Sequence, residues 1–160
     1  VEGPVQVLER RLVPLLASNP DIKFKLILPP HTLFIFLLHE AMGADDFSKW
    51  LAFRNKLGSY AQRYPNVELH DFQVDWPTIG NYELFRDIEH YRVDVLEGIF
   101  ATVKAQARRV SEEETTQNSL ELRKRVFAFG KDFCGAAEDR CPASLKDRLK
   151  MAGASSGAAD

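Results

Sequence analysis

The chain has 160 residues, 45% hydrophobic and 28% charged, with 21 basic and 23 acidic side chains for a formal net charge of -2. This is enough for one domain with a real core, and the charge is too balanced for a nucleic-acid or acidic-membrane surface. The most apolar run, Thr32 to Leu38, is far shorter than the roughly 20 residues that span a bilayer. Val1-Glu2-Gly3-Pro4 has no signal-peptide character and reads as the interior of a longer sequence, trimmed or processed.

Pro4 to Ser18 carries Val5, Leu8, Leu12 and Leu15/Leu16 at helical spacing, with Pro14 expected to kink or stop the helix. Asn19-Pro20-Asp21 is a turn. Ile22 to Leu28 reads as a strand whose last three residues are apolar on both faces, as in a sheet covered by helices on both sides. Pro29-Pro30-His31 ends it. Thr32 to Met42 fits either a short buried helix or an extended apolar lid.

Asp45 to Tyr64 reads as a helix capped by Asp45, with Arg54 interrupting its apolar face. Val67 to Phe72 is a second strand, so strand, helix and strand make a βαβ unit with an expected right-handed crossover. Gln73 to Arg86 reads as a long loop, and Tyr91 to Arg109 as an amphipathic helix with Val95, Leu96, Ile99, Phe100 and Val103 inward. Ser111 to Glu114 is a capping box opening a further helix, which Gly130 is expected to break. Lys146 to Met151 fits a last turn, and Ala152 to Asp160 a small-residue disordered tail. Cys134 and Cys141, spaced C-x6-C, fit no common zinc motif; they are two free thiols or, as preferred, a disulfide closing a small loop.

The chemistry concentrates in Asp87-x-x-His90, in the loop ahead of the amphipathic helix. A carboxylate three residues before a histidine can hold one ring nitrogen while the other faces a nucleophile, which is the relay half of a Ser-His-Asp apparatus. The alternatives are a solvent-facing histidine and an Asp87 that caps the following helix. Asp71, at the end of the second strand, reads as a turn residue before it reads as a supporting carboxylate. His31 could approach the same strand edge, His70 alternates to the face opposite Asp71, and His39 reads as a surface residue. A metal site from His31, Asp71, Asp87 and His90 ranks below the relay, because no histidine pair has helical i, i+4 spacing. No cofactor motif is present: the nine glycines are scattered. No serine stands in a Gly-x-Ser-x-Gly or Gly-Asp-Ser setting; Ser18, Ser48, Ser59, Ser111 and Ser119 lie in helical contexts.

The strand Ile22 to Leu28 with Pro29-Pro30, then Tyr64-Pro65-Asn66-Val67-Glu68-Leu69-His70-Asp71-Phe72, then Tyr82 to Asp87-Ile88-Glu89-His90-Tyr91, resembles the C-terminal part of SGNH (GDSL-like) hydrolases. The resemblance covers about residues 5 to 107 and is nearest in character to the bacterial branch linked to cell-surface polysaccharide acetylation and deacetylation. It implies an α/β, flavodoxin-like three-layer fold of which only the C-terminal half is present, a short parallel sheet flanked by helices. Residues 1–109 would be that half-domain, 110–151 a helical extension and 152–160 the tail. Asp87 and His90 would inherit the relay roles, with an acylated carbohydrate or other ester as substrate and no cofactor or metal. The family's serine block and its oxyanion-hole Gly and Asn blocks have no counterpart, so the fragment alone is expected to be inactive. The alternative is a non-catalytic binding or assembly module of the same fold. The remaining expectations are self-association through an exposed sheet edge, no nucleic-acid partner, and a location in the bacterial cell envelope or periplasm.

Overall fold

A computed structural model describes residues 3–42, 46–136, 141–147 and 149. The protein is mixed α/β and mostly helical. In chain order the elements are α1 (Pro4–Ser18), β1 (Phe24–Leu28), α2 (Leu33–Met42), α3 (Asp46–Arg63), β2 (Val67–Asp71), α4 (Trp76–Ile79), a 3-10 turn (Tyr82–Leu84), α5 (Val93–Lys104) and α6 (Glu112–Ala136). The two strands pair in parallel, with Phe24 opposite Val67 and Leu28 opposite Asp71. The cap expected of Asp45 and the tail 152–160 lie outside the described residues. So do parts of the expected last turn, of which 146, 147 and 149 are described and helical.

Several local expectations change in three dimensions. Pro14 sits inside α1 without ending it, on the exposed side of the helix where water can replace the lost N–H bond. Residues 33–42 are helical rather than an extended lid. The loop after β2 contains two short helical pieces, α4 and the 3-10 turn. The helix expected from Tyr91 starts at Val93 and stops at Lys104, and Gln106 and Arg108 then take positive φ values of 57° and 54°. Gly130 does not break α6. An added Cβ there would stand 2.8 Å from Leu37 Cδ1 and 3.1 Å from Leu149 Cδ2, so the glycine allows α2 and residue 149 to approach. The capping box holds: Ser111 N donates to Glu114 Oε2 at 2.7 Å and Glu114 N to Ser111 Oγ at 3.1 Å.

The sheet is covered on both faces. Leu8, Leu12 and Leu16 of α1 and Leu57 and Tyr60 of α3 pack on Leu28, Val67 and Leu69. On the other face Ile99 and Val103 of α5 pack with Ile27 and Phe72. Beside the sheet, α2, α3 and α6 share a third apolar core that includes Phe36, Leu37, Phe47, Leu122 and Val126. The segment read as a helical extension therefore contributes fully buried side chains; burying residues such as Leu122 and Val126 stabilises by about 1.5–3 kcal/mol each. Cys134 and Cys141 are disulfide-bonded, with Cα atoms 5.0 Å apart, and both pack with this core.

The edges of the sheet differ. Phe24 N donates to Asn66 O and Phe72 N to Leu28 O, so residues 24, 26 and 28 turn their backbone groups to β2. Lys25 and Ile27 consequently turn theirs to the other edge, where no strand of the described residues pairs with β1. The far edge of β2 is closed by the returning chain: Asp71 N donates to Arg108 O and Val110 N to Leu69 O.

Arg54, the polar interruption of α3, is fully buried. Its Nη2 donates to Asp71 Oδ2 at 2.7 Å and its Nη1 to Asp71 Oδ1 at 3.3 Å. Its Nε donates to Ser119 Oγ of α6 at 3.1 Å, and its Nη1 also reaches Gln73 Oε1. Asn118 Nδ2 completes the set on Asp71 Oδ2 at 3.0 Å. Asp71 ends β2 and accepts the Gln73 N–H at 3.0 Å, as a turn residue does, and its carboxylate is in addition committed to a buried ion pair. Removing one partner leaves an uncompensated buried charge, which costs about 3–5 kcal/mol. Arg54→Met is expected to lower stability by about that amount in urea unfolding, and Arg54→Met combined with Asp71→Leu to recover much of the loss.

Candidate functional site

The chain reaches the site through the piece between β2 and α5. Asp75 starts α4, Asn81 Oδ1 accepts Glu83 N at 3.1 Å to start the 3-10 turn, and Phe85 then enters a small hairpin. Phe85 pairs with Tyr91, Arg86 N donates to His90 O at 2.7 Å, and Arg92 N donates to Leu84 O at 2.9 Å. The hairpin tip is Asp87-Ile88-Glu89.

Asp87 and His90 come together at this tip. His90 Nδ1 lies 2.8 Å from Asp87 Oδ2 and 3.0 Å from Oδ1. Oδ1 also accepts the backbone N–H groups of Glu89 at 2.8 Å and His90 at 2.7 Å. Asp87 thus caps its own turn, as short polar side chains do, and in that position also contacts the imidazole. It does not cap α5: Arg92 holds that position, with extended backbone. Among the described residues Nε2 of His90 makes no hydrogen bond, and the His90 side chain is 71% exposed. Nδ1 is held by Asp87, and the other ring nitrogen is left without a partner among the described residues.

Ionisation follows from these contacts. The two backbone N–H donors, first that of His90 and then that of Glu89, together with the imidazole, hold the Asp87 carboxyl down at about 2. The hydrogen bond that His90 Nδ1 donates to Asp87, and then the charge of Asp87, raise the His90 pKa above the ordinary imidazole value.

The remaining histidines separate into different roles. His31 follows β1 and is set edge-on to Phe36 at 5.9 Å and to Trp50 at 6.0 Å. Burial lowers its pKa, partly opposed by the charge and backbone carbonyl of Glu89. His31 therefore does approach the motif loop. His39, read as a surface residue, stacks on Trp50 at 6.2 Å. His70 is buried with Nδ1 2.9 Å from Ala107 O, on the returning chain. Asp71 is committed to Arg54, so the four residues weighed for a metal do not form one cluster, and among the described residues no group of three or more His, Cys, Asp or Glu could hold a metal ion. Ser119 is buried beside Arg54 and belongs to that network. A cleft of about 250 Å³ opens at the same carboxyl edge of the strands, between Pro30, Phe72 and α5, and includes the 2.7 Å Arg108–Asp75 ion pair.

Sequence reasoning missed two residues that support this region. Arg54 was visible as a charge on an apolar helical face, the signal that usually marks a buried pair. Thr32 had no such signal; it is fully buried, and its hydroxyl donates to Ile88 O across 56 residues of sequence.

Comparison with protein-family models, with curated proteins and with solved structures finds no significant match for this chain.

Because the His90 pKa is raised, the pairing contributes fully below the ordinary imidazole value and is lost as pH rises through the raised one. Because the Asp87 pKa is depressed, its contribution is present above the ordinary carboxylate value and is lost as pH falls through about 2. Asp87→Asn is expected to bring the His90 titration down towards that of a free imidazole. NMR titration of the His90 ring protons against pH reads this directly.

Proposed function

We propose that residues 5 to 107 are the C-terminal half of a flavodoxin-like SGNH (GDSL-like) domain, acting in ester hydrolysis or O-acyl transfer on an acylated carbohydrate or related ester. The observation that carries this reading is the Asp87–His90 contact at 2.8 Å through Nδ1, with the other ring nitrogen exposed. In such a site a serine attacks the ester carbonyl, His90 takes its proton at Nε2, and Asp87 holds the imidazole in the productive orientation and balances its charge. His90 then returns the proton to the departing alcohol.

The serine would come from a segment outside these 160 residues. The open edge of β1 is consistent with that division, because a parallel sheet is ordinarily covered on both faces and built from more than two strands. Ile22 before β1 and Val93 and Phe100 on α5 are exposed apolar side chains. The Cys134–Cys141 disulfide favours an oxidising compartment, in keeping with a cell-envelope or periplasmic location.

A second reading, a non-catalytic assembly module, is favoured by the same open edge. In that case a second copy pairs along β1. Sedimentation of the isolated chain tests that pairing: a concentration-dependent dimer abolished by Ile27→Pro, which removes an edge N–H, supports it, and a monomer at all concentrations overturns it.

The enzymatic reading is tested in a polypeptide that carries a Gly-Asp-Ser block joined to this chain. Loss of the general base in His90→Ala is expected to lower esterase kcat/KM by about 10²–10⁴-fold, with a smaller loss for Asp87→Asn. Full esterase activity in His90→Ala overturns the proposal.

A further inference from the structure

We infer that Thr32 is a positioning residue for the Asp87–His90 pair, its hydroxyl holding the hairpin tip by the Ile88 carbonyl at the junction of β1 and α2. The catalytic meaning of this inference rests on the relay reading above; the hydrogen bond itself does not.

The tip has two kinds of constraint. Its own hydrogen bonds, from Arg86 N to His90 O and from the Glu89 and His90 N–H groups to Asp87, close the loop on itself. They fix its shape but not its direction relative to the sheet. The buried Phe85 anchors its base. At the tip, Ile88 is 42% exposed and His90 largely so, so packing contributes little to holding them. Direction is supplied from the β1–α2 junction, where the fully buried Thr32 donates its single hydroxyl proton to Ile88 O.

Thr32 is suited to this by what else it touches. Its Oγ1 also accepts the Ile35 N–H at 3.4 Å, in the manner of a helix cap on α2. One oxygen therefore links the carboxyl end of β1, the start of α2 and the motif loop. A buried hydroxyl without its partner would be costly, so the loop cannot leave this position without exposing or orphaning Thr32. The neighbouring His31 lies close enough to Glu89 to feel its charge. An exposed pair gains a defined direction without being buried, and Nε2 stays open. The charged and titratable groups that face His90 are Asp87 and Glu89 from its own loop and His31 from the junction.

The test is NMR titration of His90 in the unmodified chain and in Thr32→Val, Thr32→Ser and Asp87→Asn. Thr32→Val removes the donor at nearly constant volume. It is expected to move the His90 midpoint by at least half of the interval separating the unmodified chain from Asp87→Asn, with Thr32→Ser restoring the original value. A Thr32→Val midpoint equal to that of the unmodified chain, while Asp87→Asn is lowered, overturns the inference and leaves the relay reading standing. An Asp87→Asn midpoint equal to that of the unmodified chain overturns the relay reading instead. The role of Thr32 is then decided in the unmodified chain, as it is if Thr32→Val fails to fold. Nuclear Overhauser contacts from the Thr32 hydroxyl and methyl protons to the backbone protons of Ile88 and Glu89 support the inference there, and their absence overturns it.

Discussion

The Arg54–Asp71 pair is the constraint on which the rest of the structure depends. Both side chains are wholly removed from water, at a desolvation cost of several kcal/mol for each ion. Such a pair persists only if its remaining donors and acceptors are satisfied, and here they are drawn from three elements. Asp71 is the last residue of β2, Arg54 lies in the middle of α3, and Ser119 and Asn118 belong to α6. The same carboxylate accepts the Gln73 N–H at 3.0 Å, so the pair also sets the first residues of the chain leaving the strand. Everything after β2, including the path to the hairpin, begins from a point held by charge.

The Asp87–His90 pair uses similar chemistry under opposite conditions. Both side chains are more than half exposed, so water screens their attraction and the contact adds little to stability. What the exposed pair does possess is a tuned ionisation and a free ring nitrogen. Buried charge organises the scaffold, and the exposed pair leaves one ring nitrogen of His90 facing solvent. Thr32 connects the two regimes, since it is buried in the scaffold and bonded to the exposed tip.

The sheet is asymmetric in a related way. β2 is buried at every position and closed at its far edge by residues 108–110, whereas β1 has one unpaired edge and only Leu28 fully buried. Lys25 of β1 carries a charge on the α5 face, its Nζ donating to Val103 O at 3.0 Å and lying 3.7 Å from Glu68. A charged residue on an edge strand is a common defence against indiscriminate pairing. The helical layer formed by α2, α3 and α6 lies beside the sheet, and the disulfide ties the end of α6 to the following turn.

Residue pattern alone determined the elements whose cause is local. Alternation and β-branched or aromatic content mark β1 and β2, the capping box marks the start of α6, and three-residue spacing brings Asp87 and His90 to one side of a turn. Those features depend on neighbours in the chain, so the chain displays them. Tertiary structure decided the rest. Gly130 and Pro14 are helix breakers by propensity, yet both helices continue, one because Leu37 and Leu149 require the space and the other because solvent covers the gap. Arg54 and Asp71 are separated by 17 residues and Thr32 and Ile88 by 56. No periodicity spans such intervals; only the packing of α3 and α6 against the sheet, and of the hairpin against the β1–α2 junction, brings these groups within bonding distance.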